Sequence, residues 1–164
     1  MAVNAIETAY AGCRFRSRLE ARWAVALDVL DFPWEYEPQG FDLPSGRYLP
    51  DFRVGGPDDE NRFWIEIKGP MPGAREFQVA TEINLYDAPL VIFSGDIPRR
   101  QGMGSAWVFG MDDNTWVMVT PEQALIRVIC RSQDEADRPT SLGKTYSDAL
   151  TAARSARFEH GEQG

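Results

Sequence analysis

Residues 17–31 place Leu19, Trp23, Ala26, Leu27 and Leu30 at the spacing that lays a single apolar stripe along a helix. Ser17 and Glu20 have capping-box spacing at its start, and Asp31-Phe32-Pro33 stops it, because the residue before a proline is driven out of the helical region. Trp34-Glu35-Tyr36-Glu37 alternates and predicts a strand limited by Pro38 and Gly40. Two more strands are expected over 47–54 and 62–68, joined through the turn-rich Gly55-Gly56-Pro57-Asp58-Asp59. Gly69-Pro70-Met71-Pro72-Gly73 breaks the chain, 74–86 supports a helix, and Leu90–Phe93 reads as a short buried strand. The order α-β-β-β-α-β predicts an α+β fold built on a mixed sheet. Beyond it, 106–109 and 116–120 bracket Gly110-Met111-Asp112-Asp113-Asn114 as a hairpin. Pro121 opens a helix over 122–131, 132–144 is polar and expected as a loop, Tyr146–Phe158 is a last helix, and the tail from Glu159 is expected to fray.

The strand patterns carry more than an apolar face. In 63–68, Phe63, Ile65 and Ile67 point one way and Trp64, Glu66 and Lys68 the other. In 48–54, Tyr48, Pro50, Phe52 and Val54 share one face and Leu49, Asp51 and Arg53 its opposite. A symmetric hairpin has its midpoint between Asp58 and Asp59, inside the expected turn, and this register sets Asp51 directly across from Glu66, about 5 Å apart between Cβ atoms. Two carboxylates so close repel, so one takes a proton or a cation joins them. Mg²⁺ prefers hard oxygen ligands and completes its shell with water and phosphate. Asp51 and Glu66 are therefore candidate ligands, with the carbonyl of Ile67 as a further one. Lys68 shares the face of Glu66, away from Ile65 and Ile67, and is expected to act on a phosphate or on the attacking water and not on the fold. Glu20, at one edge of the helical stripe, is a third candidate carboxylate and equally a helix cap for Ser17. An E-x-K on a strand is by itself equally a solvated face.

Composition narrows the choices. At 164 residues the chain is expected to form one domain with a core of its own. The apolar run Leu90–Phe93 is far too short to span a bilayer, and Met1–Tyr10 has neither the basic nor the apolar region of a secretory signal. Cys13 and Cys130 make no disulfide framework and no zinc site, so a cytoplasmic location is expected. His160 is the lone histidine and no glycine-rich phosphate loop is present, which leaves the carboxylates and Lys68 as the main catalytic equipment. A net charge of −8 argues against binding nucleic acid through bulk electrostatics. Locally the sign reverses: Arg14, Arg16, Arg18 and Arg22 fall within nine residues, and local field decides whether a phosphate approaches. The same cluster is also consistent with solvated charge at a helix start.

Residues 12–96 resemble the PD-(D/E)XK nuclease superfamily. Asp51 corresponds to the motif aspartate, Glu66 to the (D/E), Lys68 to the lysine, and Glu20 to the acidic residue often found on the first helix. The succession of elements is similar to the restriction-endonuclease-like core. Phe15-Arg16-Ser17-Arg18-Leu19-Glu20-Ala21-Arg22, Tyr36-Glu37-Pro38 and Tyr48-Leu49-Pro50-Asp51-Phe52 look like small phage-encoded members and the catalytic domain of TnsA-type transposon endonucleases. The ending Ala153-Arg154-Ser155-Ala156-Arg157-Phe158-Glu159-His160-Gly161 looks like the phage group. The resemblance implies Mg²⁺-dependent cleavage of DNA phosphodiesters, with Mn²⁺ as a substitute. Residues 97–158 then form a C-terminal extension and 159–164 a disordered tail. The Q-x-x-x-Y of RecB-type and Cas4-type exonucleases is missing; only Glu82-x-x-x-Tyr86 has that spacing. An endonuclease acting on branched DNA, similar to a junction resolvase, fits better than an exonuclease of recombination. Symmetric cutting of two strands implies a homodimer, with 97–158 as a candidate interface. The competing readings are a nuclease fold without turnover that acts as a binding or anti-defence protein, and a structural protein with ion-paired strands.

Overall fold

The computed structural model describes residues 8–110 and 114–158. The expected turn at Met111-Asp112-Asp113, the first seven residues, and the tail with His160 lie outside them. Among the described residues the chain is α+β, with a mixed six-stranded sheet and four α-helices. It opens with a hairpin of β1 (Thr8–Tyr10) and β2 (Cys13–Phe15), followed by α1 (Arg18–Val29) and β3 (Trp34–Tyr36). A second hairpin, β4 (Phe41–Leu43) and β5 (Gly46–Tyr48), precedes β6 (Phe52–Val54), β7 (Phe63–Lys68), α2 (Ala74–Tyr86) and β8 (Leu90–Ser94). The chain continues through β9 (Ser105–Gly110), β10 (Thr115–Val119), α3 (Pro121–Ile129) and α4 (Gly143–Ser155). The sheet runs β10-β9-β8-β7-β6-β3. Its neighbours are antiparallel except β7 and β8, which are parallel and connected through α2, as a crossover connection requires.

The sheet is covered on both faces. One face packs Phe52, Ile65, Ile67, Val91 and Phe93 against Trp23 and Leu27 of α1, Leu125 of α3 and Leu150 of α4. The other packs Trp64, Leu90 and Ile92 against Ala80 and Ile83 of α2, with Phe41, Leu43 and Tyr48 of the second hairpin closing over them. The alternation expected for β7 therefore divides its side chains between two cores. Phe15, fully buried, sits at one end of the first core with its ring centroid 4.4 Å from Tyr36 and 6.0 Å from Phe52. It fixes the point where the chain enters α1. Phe15→Ala is expected to cost about 3–5 kcal/mol in urea denaturation; a loss below about 1 kcal/mol contradicts this packing.

Several expectations need correction. The strand expected over 47–54 is two strands, because Pro50 has no N–H to continue the ladder and the chain turns at Leu49-Pro50-Asp51. Tyr48 consequently does not share the face of Phe52 but packs with the Trp64 cluster. The β1–β2 and β4–β5 hairpins are additions to the expected elements. The last helix begins at Gly143 and ends at Ser155, and a 3₁₀ turn over Glu135–Asp137 interrupts the polar stretch before it. Tyr86, an aromatic whose side chain would be at home in a core, is exposed, whereas Phe77 packs against Trp107 and Trp116. No helix among the described residues is long and apolar enough to cross a membrane.

Candidate active site

The register of β6 against β7 pairs Phe52 with Ile65 and Val54 with Phe63. Continued one step beyond β6, this register brings Asp51 opposite Glu66, as the symmetric hairpin requires. The turn that sets it is tied by backbone bonds from Asp59 N–H to Gly56 O and from Arg62 N–H to Asp59 O. Arg131 braces it from outside by donating to the carbonyls of Glu60 and Asn61.

Both carboxylates are buried, at 2% and 3% exposure. Asp51 Oδ2 accepts from the Ile67 amide at 2.7 Å, and Oδ1 accepts from Arg16 Nη2 at 3.0 Å. Glu66 Oε1 pairs with Lys68 Nζ at 2.7 Å. Its other oxygen, Oε2, is buried and makes no hydrogen bond of ordinary geometry. The donor turned toward Glu66 is the buried Tyr48 hydroxyl, whose pKa is pushed up by burial, then by the Glu66 charge and by hydrogen bonding to it. A buried carboxylate oxygen short of a well-aligned donor is costly, so this corner of the site can accommodate a cation.

Electrostatics follow from the crowding. Burial first, and then the charge of Glu66, hold Asp51 well above the usual carboxylate range; the Ile67 amide opposes this and Glu20 adds to it. Burial also raises Glu66, against the pull of Lys68. For Lys68, burial works to lower the pKa, but the charges of Glu66 and Asp51 outweigh it and the net shift is upward. The ammonium is thus held protonated, which suits it to stabilising phosphate charge and not to acting as a base.

The other sequence candidates divide. Glu20 is buried in the cap of α1: Ser17 Oγ donates to its Oε1 at 2.8 Å, while the Arg16 amide (3.1 Å) and the Tyr36 hydroxyl (2.6 Å) donate to Oε2. Its own amide donates to Ser17 Oγ. Both oxygens are therefore committed locally, and Glu20 reaches Asp51 only through its field. Arg16 enters the site, bridging Asp51 and Glu37. Arg14 is exposed on β2, whereas Arg18 and Arg22 turn to a separate cleft. Among the described residues no cluster of three or more His, Cys, Asp or Glu side chains is arranged around a metal position; Asp51 and Glu66 form a pair. Glu82, part of the exonuclease-like spacing, is spent on the β4–β5 turn, accepting from Ser45 N–H and Oγ. Sequence reasoning missed Tyr48, although it lies three residues before Asp51.

Glu20→Gln keeps the acceptor for Tyr36 and Arg16, turns an NH2 donor toward Ser17 Oγ in place of the acceptor, and removes the charge. It is expected to leave the melting temperature within a few degrees and the cleavage that the family resemblance implies within about threefold of wild type, since Glu20 acts at one remove from the site. A loss of 10²-fold or more, of the size seen when a charge-stabilising group is removed, would return Glu20 to the ligand set.

Comparison with family models, with curated proteins and with solved structures finds no match to this chain.

Proposed function

We propose that Asp51, Glu66 and Lys68 form a divalent-cation-dependent phosphodiesterase centre and that the chain is a DNA endonuclease with a restriction-endonuclease-like core. The observation that carries this reading is the buried pair of Asp51, at the start of β6, and Glu66 on β7, with the Lys68 ammonium 2.7 Å from Glu66 Oε1 and the Tyr48 hydroxyl against the same carboxylate. The succession α1-β3-β6-β7-α2-β8, with β7 and β8 parallel, is consistent with that core, the β4–β5 hairpin being an insertion.

The donor set suits Mg²⁺ or Mn²⁺: two carboxylates and a carbonyl, all hard oxygens. The Ile67 carbonyl belongs to this set on backbone grounds. Trp64 N–H and Lys68 C=O serve the β8 side, bonding Pro89 and Gly95. The alternate residues Phe63, Ile65 and Ile67 therefore turn both backbone groups toward β6, where the Ile67 amide meets Asp51. A cation held there supplies an activated water and neutralises charge developing on phosphorus. The chain's own groups do the rest. Lys68, kept protonated, holds a non-bridging phosphate oxygen. Tyr48 can donate its hydroxyl to the same group. Arg16, half-exposed, swings from Asp51 Oδ1 toward the incoming phosphate. The missing Q-x-x-x-Y, and a net charge of −8 that disfavours tight indiscriminate binding, support internal cutting of branched or distorted DNA.

Calorimetric titration with Mn²⁺ tests the donor set. Binding to wild type, lost in both Asp51→Asn and Glu66→Gln, is expected; unchanged binding in both variants contradicts it.

The Arg16–Asp51 ion pair favours a second reading. A guanidinium already neutralising Asp51 lets the fold stand without metal, as a DNA- or protein-binding module with no turnover. Cleavage with added cation separates the two.

A further inference from the structure

A cleft of about 490 Å³ lies between the start of α1 and the C-terminal end of α4, lined by Arg18, Arg22, Arg154 and Arg157 with Ser155 and Phe158. We propose that this cleft binds a backbone phosphate of the same DNA strand that enters the Asp51–Glu66–Lys68 site. The inference rests on the nuclease reading and adds to it a second, non-catalytic phosphate site supplied by the C-terminal extension.

Four guanidiniums are charged at any working pH and repel one another. In a chain of net charge −8 they nevertheless converge on one cleft with no carboxylate among its lining residues. Among the described residues Asp96 comes near, with Oδ1 3.9 Å from Arg22 Nη1 and its side chain 80% exposed, a pair worth little in solvent. Arg22 Nε is buried and has no hydrogen-bond partner, a donor left waiting for an acceptor. Arg154 is held in place by donating to the Pro98 carbonyl and to Thr151 Oγ1, so part of its fork geometry is preorganised. Arg154 and Arg157, at the C-terminal end of α4, are where a helix dipole welcomes cations. An anion in the cleft offsets the mutual repulsion of Arg22, Arg154 and Arg157. Guanidinium forks match phosphate oxygens in pairs.

The location ties the cleft to the candidate active site. Ser94 pairs with Lys68 across the parallel strands, and Gly95 N–H donates to the Lys68 carbonyl at 2.9 Å. The next residue, Asp96, is the one beside Arg22. Lys68 and the arginine cleft are therefore joined through Gly95-Asp96 at one end of the sheet, and the proposal runs a single strand over both.

The test is fluorescence anisotropy of a labelled four-way-junction DNA in chelator, so that nothing is cut, comparing wild type with Arg157→Ala and with Arg154→Ala/Arg157→Ala. The double variant is expected to weaken binding about tenfold at 0.1 M salt. It should also flatten the slope of log K against log salt by about 1–2, roughly one for each phosphate no longer neutralised. Arg157 is exposed, so the single variant keeps the test valid if the double one fails to fold; about threefold weaker binding is its expected result. Arg157→Lys should restore the salt slope. Unchanged affinity and slope in folded variants overturn the proposal. Inorganic phosphate is titrated in parallel: arginine-dependent phosphate binding without DNA binding overturns assignment to a polynucleotide. The two readings fail separately. Arginine-dependent DNA binding with no cleavage in Mg²⁺ or Mn²⁺ keeps the cleft and removes the nuclease. Cleavage with unchanged KM in the arginine variants does the reverse.

Discussion

Asp51→Asn is expected to lower DNA cleavage by at least about 10²–10³-fold, as loss of a charge-stabilising group does, while raising the melting temperature of the protein in chelator above neutral pH. The second half is the less intuitive. In the metal-free fold Asp51 is held well above the usual carboxylate range by burial and by Glu66. The folded state then binds this proton more tightly than the unfolded chain. Stability must therefore fall as pH rises from about 4, where an unfolded aspartate ionises, through the higher folded value. Asparagine removes the titration and still offers an oxygen to the Ile67 amide. The bond it forfeits, to Arg16, involves a guanidinium whose side chain is 60% exposed and is worth little. Melting curves at pH 5 and pH 8 in chelator should show a larger drop for wild type than for Asp51→Asn, and Mn²⁺ should recover the wild type alone. Parallel pH profiles for the two proteins contradict this electrostatic account.

Lys68→Met is expected to abolish cleavage to a similar extent, and to destabilise the protein in a pH-dependent way. Methionine keeps the stem and removes the ammonium that pairs with Glu66 Oε1 at 2.7 Å. Breaking a buried pair and leaving its charge alone costs about 3–5 kcal/mol, but a carboxylate can escape by taking a proton. Glu66 already has its pKa raised by burial, with Lys68 the main opposing pull; without Lys68 it rises further. At pH 5 the variant should therefore unfold at nearly the same urea concentration as wild type, and at pH 8 at a clearly lower one. An equal loss at both pH values, or retained cleavage, contradicts this. The geometry thereby modifies the simpler expectation that Lys68 stands apart from the fold.

How much of the fold and site is legible in the sequence depends on how local each determinant is. The Asp51–Glu66 register is readable because both strands alternate cleanly up to a turn whose residues lie symmetrically between them. The same arithmetic fails for Tyr48, since Pro50 breaks the ladder and resets which face each side chain takes. The β1–β2 hairpin turns through Ala11 and Gly12, both with positive φ, 49° and 78°. Such turns normally announce themselves with Asn or Gly at the first position, and alanine there gives no signal. The β4–β5 hairpin consists of three-residue strands, too short for a period to register, and it is held by tertiary contacts to Glu82 and Trp64. Glu20 is ambiguous in sequence between cap and ligand; its neighbours Tyr36 and Arg16, brought together only by folding, resolve its two oxygens into the cap. The shared face of Arg18 and Arg22 follows from helical spacing, but its meeting with Arg154 and Arg157 requires the packing of α1 on α4.

The central claim is cation-dependent internal cutting of DNA by the Asp51–Glu66–Lys68 site. The most direct test incubates wild type and Asp51→Asn with a labelled four-way junction, a covalently closed circle and a linear duplex, in Mg²⁺, in Mn²⁺ and in chelator. Wild type is predicted to cleave the junction and nick the closed circle with either cation and to do neither in chelator, and the variant to cut nothing. Degradation of the linear DNA from its ends with the circle intact would contradict internal cutting, and no cleavage of any substrate with either cation would contradict the nuclease assignment itself.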